Sequence, residues 1–154
     1  MRRWCLPALL VALAASCSDS TGPANDLDAL QVSVQVDPQI VIAGSAARIL
    51  VTLRNPLPRT VEVASCPVFF WVQNVQGDVV AGSRAVYCAA AFANTFVYFP
   101  LRLKPFRSQT IEFTWTSAET QTVPLGQYDV YGWFTSPDHV SQPAQVSVVV
   151  AATP

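Results

Sequence analysis

The residues of this chain with reactive side chains are few, and their spacing decides what chemistry is open to them. The single histidine is His139, in the loop Ser136-Pro137-Asp138-His139-Val140-Ser141. A hydrolytic triad needs its base oriented by a carboxylate and its nucleophile on a rigid elbow. Neighbours within one loop do not supply that geometry, and no G-x-S-x-G occurs, so His139 reads as a solvated loop residue. There is no P-loop, and no G-x-G-x-x-G follows a strand. Acidic residues are scattered singly, without the clustered oxygens of a calcium site. The four cysteines, Cys5, Cys17, Cys66 and Cys88, match no zinc spacing. The sequence therefore predicts no catalytic residues, no metal and no cofactor.

What the cysteines do follows from the N-terminus. Arg2 and Arg3 precede an apolar run from Trp4 to Ala15, and small residues Ala14, Ala15 and Ser16 lead into Cys17. A charged start, a short apolar stretch and small residues make an export signal. The run is too short to cross a bilayer, which needs about 20 apolar residues. Leu13-Ala14-Ala15-Ser16-Cys17 resembles the lipobox of bacterial lipoproteins, with the common leucine displaced by one position. That resemblance implies that residues 1–16 are removed, that Cys17 carries the lipid, and that the protein is exported and anchored to the bacterial cell envelope. Residues 17–29 are small, polar and acidic and read as a tether, with a mean reach of about 20 Å.

Cys5 leaves with the leader and Cys17 is acylated in this parse, so Cys66 and Cys88 remain. Outside the cytoplasm they are expected to pair as a disulfide, closing a loop worth about 3.4 kcal/mol in the chain-entropy account; the alternative is two buried free thiols. Without residues 1–16 the chain keeps seven Lys+Arg and ten Asp+Glu, a net charge of 7 − 10 = −3. That balance excludes the basic face a nucleic-acid partner requires.

These residues must be carried by strands. Charge is sparse, Val, Phe, Thr and Pro are plentiful, and no segment holds a sustained helical apolar spacing. Period-two alternation recurs at Leu30–Val36 and Arg48–Asn55, then after Asn55-Pro56-Leu57-Pro58 in a short strand near Thr60–Ala64. Val68–Val75 is nearly all apolar, as a strand covered on both faces would be. Gly77-Asp78 turns the chain into Val79–Ala81, and strands are expected at Thr95–Leu103, Gln109–Thr116, Tyr128–Thr135 and Ala144–Val150. Between them, Cys88–Asn94 reads as a loop or one helical turn. About seven to nine such strands over residues 30–150, ahead of a tail at 151–154, predict one all-β antiparallel sandwich.

Pro124-Leu125-Gly126-Gln127-Tyr128-Asp129-Val130 places a tyrosine two residues after a glycine at the start of a late strand. This resembles the tyrosine corner of immunoglobulin-like sandwiches, built here on Gly126 and Tyr128. Val130 stands where antibody-type domains have a cysteine, and Val51 fills the partner strand, so the core is of the disulfide-free kind. Trp71 suits the buried core tryptophan, with Trp115 also assigned to the core. Leu103-Lys104-Pro105 with Ser108, Ile111–Trp115, Pro124–Val130 and the hairpin Trp71–Val80 together resemble the BsuPI-type family, immunoglobulin-like domains named for an intracellular proteinase inhibitor. The resemblance spans about Val34–Val150; Phe106 departs from it by standing where glycine is expected. It implies the fold, and a protease as a partner, without assigning inhibitory residues.

Two surface features remain. No charge occurs over the 17 residues between Arg84 and Arg102, and Tyr87, Phe92 and Phe96 within that stretch are a candidate binding patch. Arg102, Lys104 and Arg107 form the densest basic group. The expectation is a non-catalytic envelope module that binds a protein or a polysaccharide, with BsuPI-type proteinase inhibition as the alternative.

Overall fold

The structure, a computed structural model, describes residues 25–63, 68–82 and 100–154, together with the backbone of 89–92 and 95–98. Among the described residues a short 3-10 helix, η1 (Asp26–Ala29), precedes thirteen strand segments: β1 (Gln31–Asp37), β2 (Ile40–Ile42), β3 (Ala47–Arg54), β4 (Val61–Val63), β5 (Val68–Asn74), β6 (Val79–Gly82), β7 (Ala89–Phe92), β8 (Thr95–Tyr98), β9 (Leu101–Leu103), β10 (Ser108–Trp115), β11 (Gly126–Ser136), β12 (His139–Val140) and β13 (Ala144–Ala151). One helix, α1 (Ser117–Thr122), joins β10 to β11.

Two sheets form the sandwich. The smaller runs β1-β3-β10 and the larger β2-β13-β11-β5-β6, with β12 paired to β11. All pairings are antiparallel except β2 with β13. After β1 the chain leaves the small sheet through the cis Asp37–Pro38 peptide and joins the edge of the large one as β2. The chain is thus an all-β, immunoglobulin-like sandwich. The strand segments outnumber the expected seven to nine because β2, β7 and β12 lie outside the expected strands and because the one expected over Thr95–Leu103 is divided into β8 and β9.

Alternation places the core between the layers. Val34 and Val36, Ile49, Val51 and Leu53, and Phe113 and Trp115 point inward from the small sheet. Val68, Phe70 and Val72, Tyr128, Val130 and Phe134, and Val148 and Val150 meet them from the large one. Each such side chain contributes about 1.5–3 kcal/mol on burial. Phe70 lies on Phe113 with centroids 5.0 Å apart, and Trp115 meets Tyr128 edge-on at 5.7 Å.

Four expectations are corrected. Trp71 is half-buried on the outer face of β5, while fully buried Trp115 is the core tryptophan; alternation with Phe70 and Val72 turns Trp71 outward. For the same reason β5 is sealed on one face only. Residues 89–92 are a strand and not a loop or helical turn, because Ala89–Phe92 pairs rung for rung with Thr95–Tyr98, and those strong β-formers override the weak preference of three alanines. The strand expected over Thr95–Leu103 divides into β8 and β9 around Pro100, which has no N–H for a ladder.

Residues 26–29, assigned by polarity to the tether, are folded onto the body. Leu27 packs against the core, and Asp26 is hydrogen-bonded to Arg59. That bond holds the Asp26 carboxyl below its ordinary pKa. Among the described residues no helix is long and apolar enough to cross a membrane.

Candidate functional site

The two outer faces of the sandwich differ in kind. On the small sheet the outward residues form rungs Asp37–Arg48–Thr114, Gln35–Leu50–Glu112, Ser33–Thr52–Thr110 and Gln31–Arg54–Ser108. Only Leu50 is apolar. Arg48 pairs with Asp37 at 2.5 Å, and the Thr52 and Thr110 hydroxyls share a 2.8 Å hydrogen bond. This is an ordinary solvated face.

On the large sheet the same periodicity turns Phe69, Trp71 and Gln73 of β5 outward, directly opposite Trp133, Tyr131 and Asp129 of β11. Four aromatic rings therefore share one face. Phe69 stacks on Trp133 with centroids 5.3 Å apart and an interplanar angle of 21°. Trp71 lies 4.0 Å from Trp133 and 5.6 Å from Tyr131, tilted to both. All four remain half-buried. On the flank toward β6, Trp71 is opposite Gly82, which carries no side chain to cover it. Toward β13 the row turns polar: Tyr131 faces Gln145, and Asp129 accepts a 2.7 Å hydrogen bond from the Ser147 hydroxyl opposite it. The face thus joins an aromatic platform to a polar margin, and Phe69 to Gln73 runs about 13 Å along the strand.

Trp71 Nε1 is enclosed without an acceptor among the described residues, as is Trp115 Nε1 in the core. Phe69, Tyr131 and Trp133 were not singled out from the sequence as a surface set. The signal was the pair of i, i+2 aromatic spacings, Phe69-x-Trp71 and Tyr131-x-Trp133, which strand alternation puts on one side.

A second cluster lies at the end of the sandwich where η1 docks. Lys104-Pro105-Phe106-Arg107 forms a turn closed by Arg107 N–H donating to Lys104 O at 3.2 Å. Proline stands second, and Phe106 third with φ +56°, the pattern of a type II turn. That third position favours glycine, and a residue with a Cβ holds it at a cost of about 1–3 kcal/mol. Phe106 is 65% exposed. Lys104, Arg107 and nearby Arg54 are exposed and make no ion pair among the described residues, whereas Arg102 is bound to Glu62 at 2.9 Å.

Buried Asn55 stitches this end together. Its Nδ2 donates to Arg59 O, Leu103 O and Lys104 O at 2.7, 3.0 and 3.2 Å, and its Oδ1 accepts from Leu57 N–H at 2.9 Å. Phe106 N–H donates to Leu57 O at 3.3 Å.

His139 is positioned by a residue distant in sequence. Its Nδ1 lies 3.2 Å from Asp28 Oδ1 of η1, its ring stacks on Phe134 at 5.2 Å, and it is 13% exposed rather than solvated. Ser141 Oγ accepts the Phe134 N–H at 2.9 Å. His139 and Ser141 line a cavity of about 330 Å³ with Leu27, Leu30, Val32 and Pro143. Among the described residues no three His, Cys, Asp or Glu side chains gather as metal ligands.

The tyrosine at the start of β11 makes the bond that defines a tyrosine corner. Buried Tyr128 donates from its hydroxyl to Pro124 O at 2.6 Å, and Gly126 opens the strand at φ +150°, a conformation glycine adopts readily. Val51 and Val130 are fully buried. Cys17, Cys66, Cys88 and Tyr87 lie outside the described residues, and for Phe92 and Phe96 only the strand backbone is described.

No family model matches the chain, and no curated protein matches it. Solved structures do. The sporulation control protein Spo0M from Bacillus subtilis superposes with a TM-score of 0.51 at 8% identity, over 82% of this chain and 50% of that one. A CARDB domain from Pyrococcus furiosus aligns at 14% identity and TM-score 0.44, covering 81% of this chain and 91% of the domain. The β-glucosidase EmGH1 from Erythrobacter marinus aligns at 11% identity and TM-score 0.49, over 79% of this chain. This chain spans only 15% of that enzyme's length. The likeness to Spo0M is one of fold.

Proposed function

We propose that this chain is a non-catalytic lipoprotein of the bacterial envelope, anchored through Cys17, whose immunoglobulin-like domain binds a protein or a polysaccharide on the outer face of its large sheet. One observation carries the reading: four half-buried aromatic rings, Phe69, Trp71, Tyr131 and Trp133, share that face, while the opposite outer face is polar throughout except for Leu50. Aromatic side chains supply large contact area with little rotamer entropy to lose, and they concentrate at the centres of binding surfaces. The polar margin of Gln73, Asp129, Gln145 and Ser147 gives the oriented hydrogen bonds that specificity requires.

Buried Ser141 accepts the Phe134 N–H at its Oγ, a structural use of that hydroxyl that suits a non-catalytic reading. The leader and the Cys17 context support export and lipidation.

The test compares full chains carrying Cys17→Ser in binding to envelope proteins and to purified envelope polysaccharides. Trp71→Ala with Trp133→Ala is expected to weaken binding at least ~10-fold, as loss of two interface anchors should. Thr52→Ala with Thr110→Ala, on the opposite face, should leave it unchanged. Equal binding by both double variants would remove the aromatic face as the site.

A further inference from the structure

We propose that the Lys104–Arg107 turn is a membrane-contact site: Phe106 enters the interfacial layer of an anionic bilayer, and Lys104, Arg107 and Arg54 meet the lipid headgroups. The inference takes from the anchored reading where the bilayer lies. It takes its chemistry from the turn itself.

Two unfavourable features coincide at Phe106. Its backbone is in the left-handed region, at a turn position that glycine fills without strain, and this large apolar residue is 65% exposed. A glycine there would remove both. Persistent strain held at an exposed residue points to a use outside the fold.

The charges around the ring fit one kind of surface. Phe106 is at the apex of the turn and Lys104 and Arg107 are at its base, so an apolar tip precedes a cationic collar. That order matches a bilayer approached from water, where headgroup phosphates overlie the acyl boundary. Lys104, Arg107 and Arg54 are unpaired among the described residues, in a chain whose net charge without the leader is 7 − 10 = −3. The carboxylates on the flanking elements are engaged: Asp26 binds Arg59, and Glu62 binds Arg102.

The end of the molecule is also the right one. Asp26 of η1 is bonded to Arg59, and the Arg59 carbonyl and the Lys104 carbonyl share the Asn55 amide. The turn and the root of the tether therefore belong to one end of the sandwich. Eight peptide units separate Cys17 from Asn25, a span of at most about 28 Å. A lipid on Cys17 keeps this end within that distance of the membrane.

The experiment uses the full chain isolated from envelopes, with its N-terminal mass recorded, carrying Phe106→Trp as a probe. The unaltered chain gives the background from its native tryptophans. In vesicles of phosphatidylglycerol and phosphatidylcholine, the added indole should shift to the blue and be quenched by brominated lipid. Lys104→Gln with Arg107→Gln should weaken that contact about 30-fold. Phe106→Gly, which suits the turn, should keep the fold and bind these vesicles several-fold more weakly, while the cationic collar keeps its preference for them over vesicles of phosphatidylcholine alone. Fluorescence from the added indole that stays water-exposed in both vesicle types overturns the proposal, and an acidic protein partner would give that result. The recorded mass decides the lipid on Cys17 independently: without it the anchored reading fails, while the vesicle signal of chain added from solution still decides the turn.

Discussion

Gly132 of β11 faces Val51 of β3 across the sandwich so closely that a Cβ on Gly132 would stand 2.9 Å from Val51 Cγ2. Val34 Cβ of β1 would be 3.3 Å away. Antibody-type domains pin their sheets with a disulfide two residues after the corner tyrosine. Here Val130 occupies that position, fully buried, and the layers close on a glycine two residues further along.

Gly132→Ala is therefore expected to destabilise the fold by about 1–3 kcal/mol through overpacking. Adding Val51→Ala should recover part of the loss, so the double variant should be more stable than the sum of the two singles. Denaturant unfolding of the four chains completes the cycle.

Tyr128→Phe removes the hydroxyl that satisfies Pro124 O and should cost about 1–2 kcal/mol. The same residue sets an alkaline limit. Burial raises the Tyr128 pKa above its ordinary 10.0, and the bond to Pro124 exists only while the phenol keeps its proton. As pH rises past the unfolded pKa, the unfolded chain loses this proton first. The contribution is thus complete below pH ~10 and lost as pH climbs through the folded pKa. Unfolding followed between pH 9 and 12 should show a steeper decline in the parent than in Tyr128→Phe.

Asn55→Ala leaves the carbonyls of Arg59, Leu103 and Lys104 and the Leu57 N–H without their buried partner. A loss of about 2–4 kcal/mol is expected, larger than for an exposed polar residue because unmet buried groups bear the full desolvation cost. Thermal unfolding measures it.

Phe106→Gly should make the fold slightly more stable. Relief of about 1–3 kcal/mol of backbone strain exceeds the roughly 0.4–1 kcal/mol that glycine returns to the unfolded chain as entropy. A higher melting temperature would show it, and a lower one would mean that the Phe106 ring packs usefully within the fold.

Alternation made most of the sandwich legible: the expected strands at 30–36, 48–55, 109–116, 128–135 and 144–150 match β1, β3, β10, β11 and β13 within two residues at each end. Other parts were hidden for separate physical reasons. α1 is too short to show an apolar period, although its capping box, Thr116-x-x-Glu119, was written in the sequence. In β5 the outward residues are as apolar as the inward ones, so composition suggested two covered faces, and only the pairing with β11 showed an aromatic outer row. The His139–Asp28 contact joins residues 111 positions apart, beyond the reach of local spacing.

The most direct measurement is hydroxyl-radical labelling of the chain in intact envelopes and after purification, with modification followed at single residues. If the aromatic face is the binding surface, Trp71, Tyr131 and Trp133 should be labelled several-fold more slowly in the envelope than in solution. Fully buried Trp115 should be slow in both, and Leu50 on the opposite face unchanged. Equal labelling of Trp71, Tyr131 and Trp133 in the two states would contradict the account.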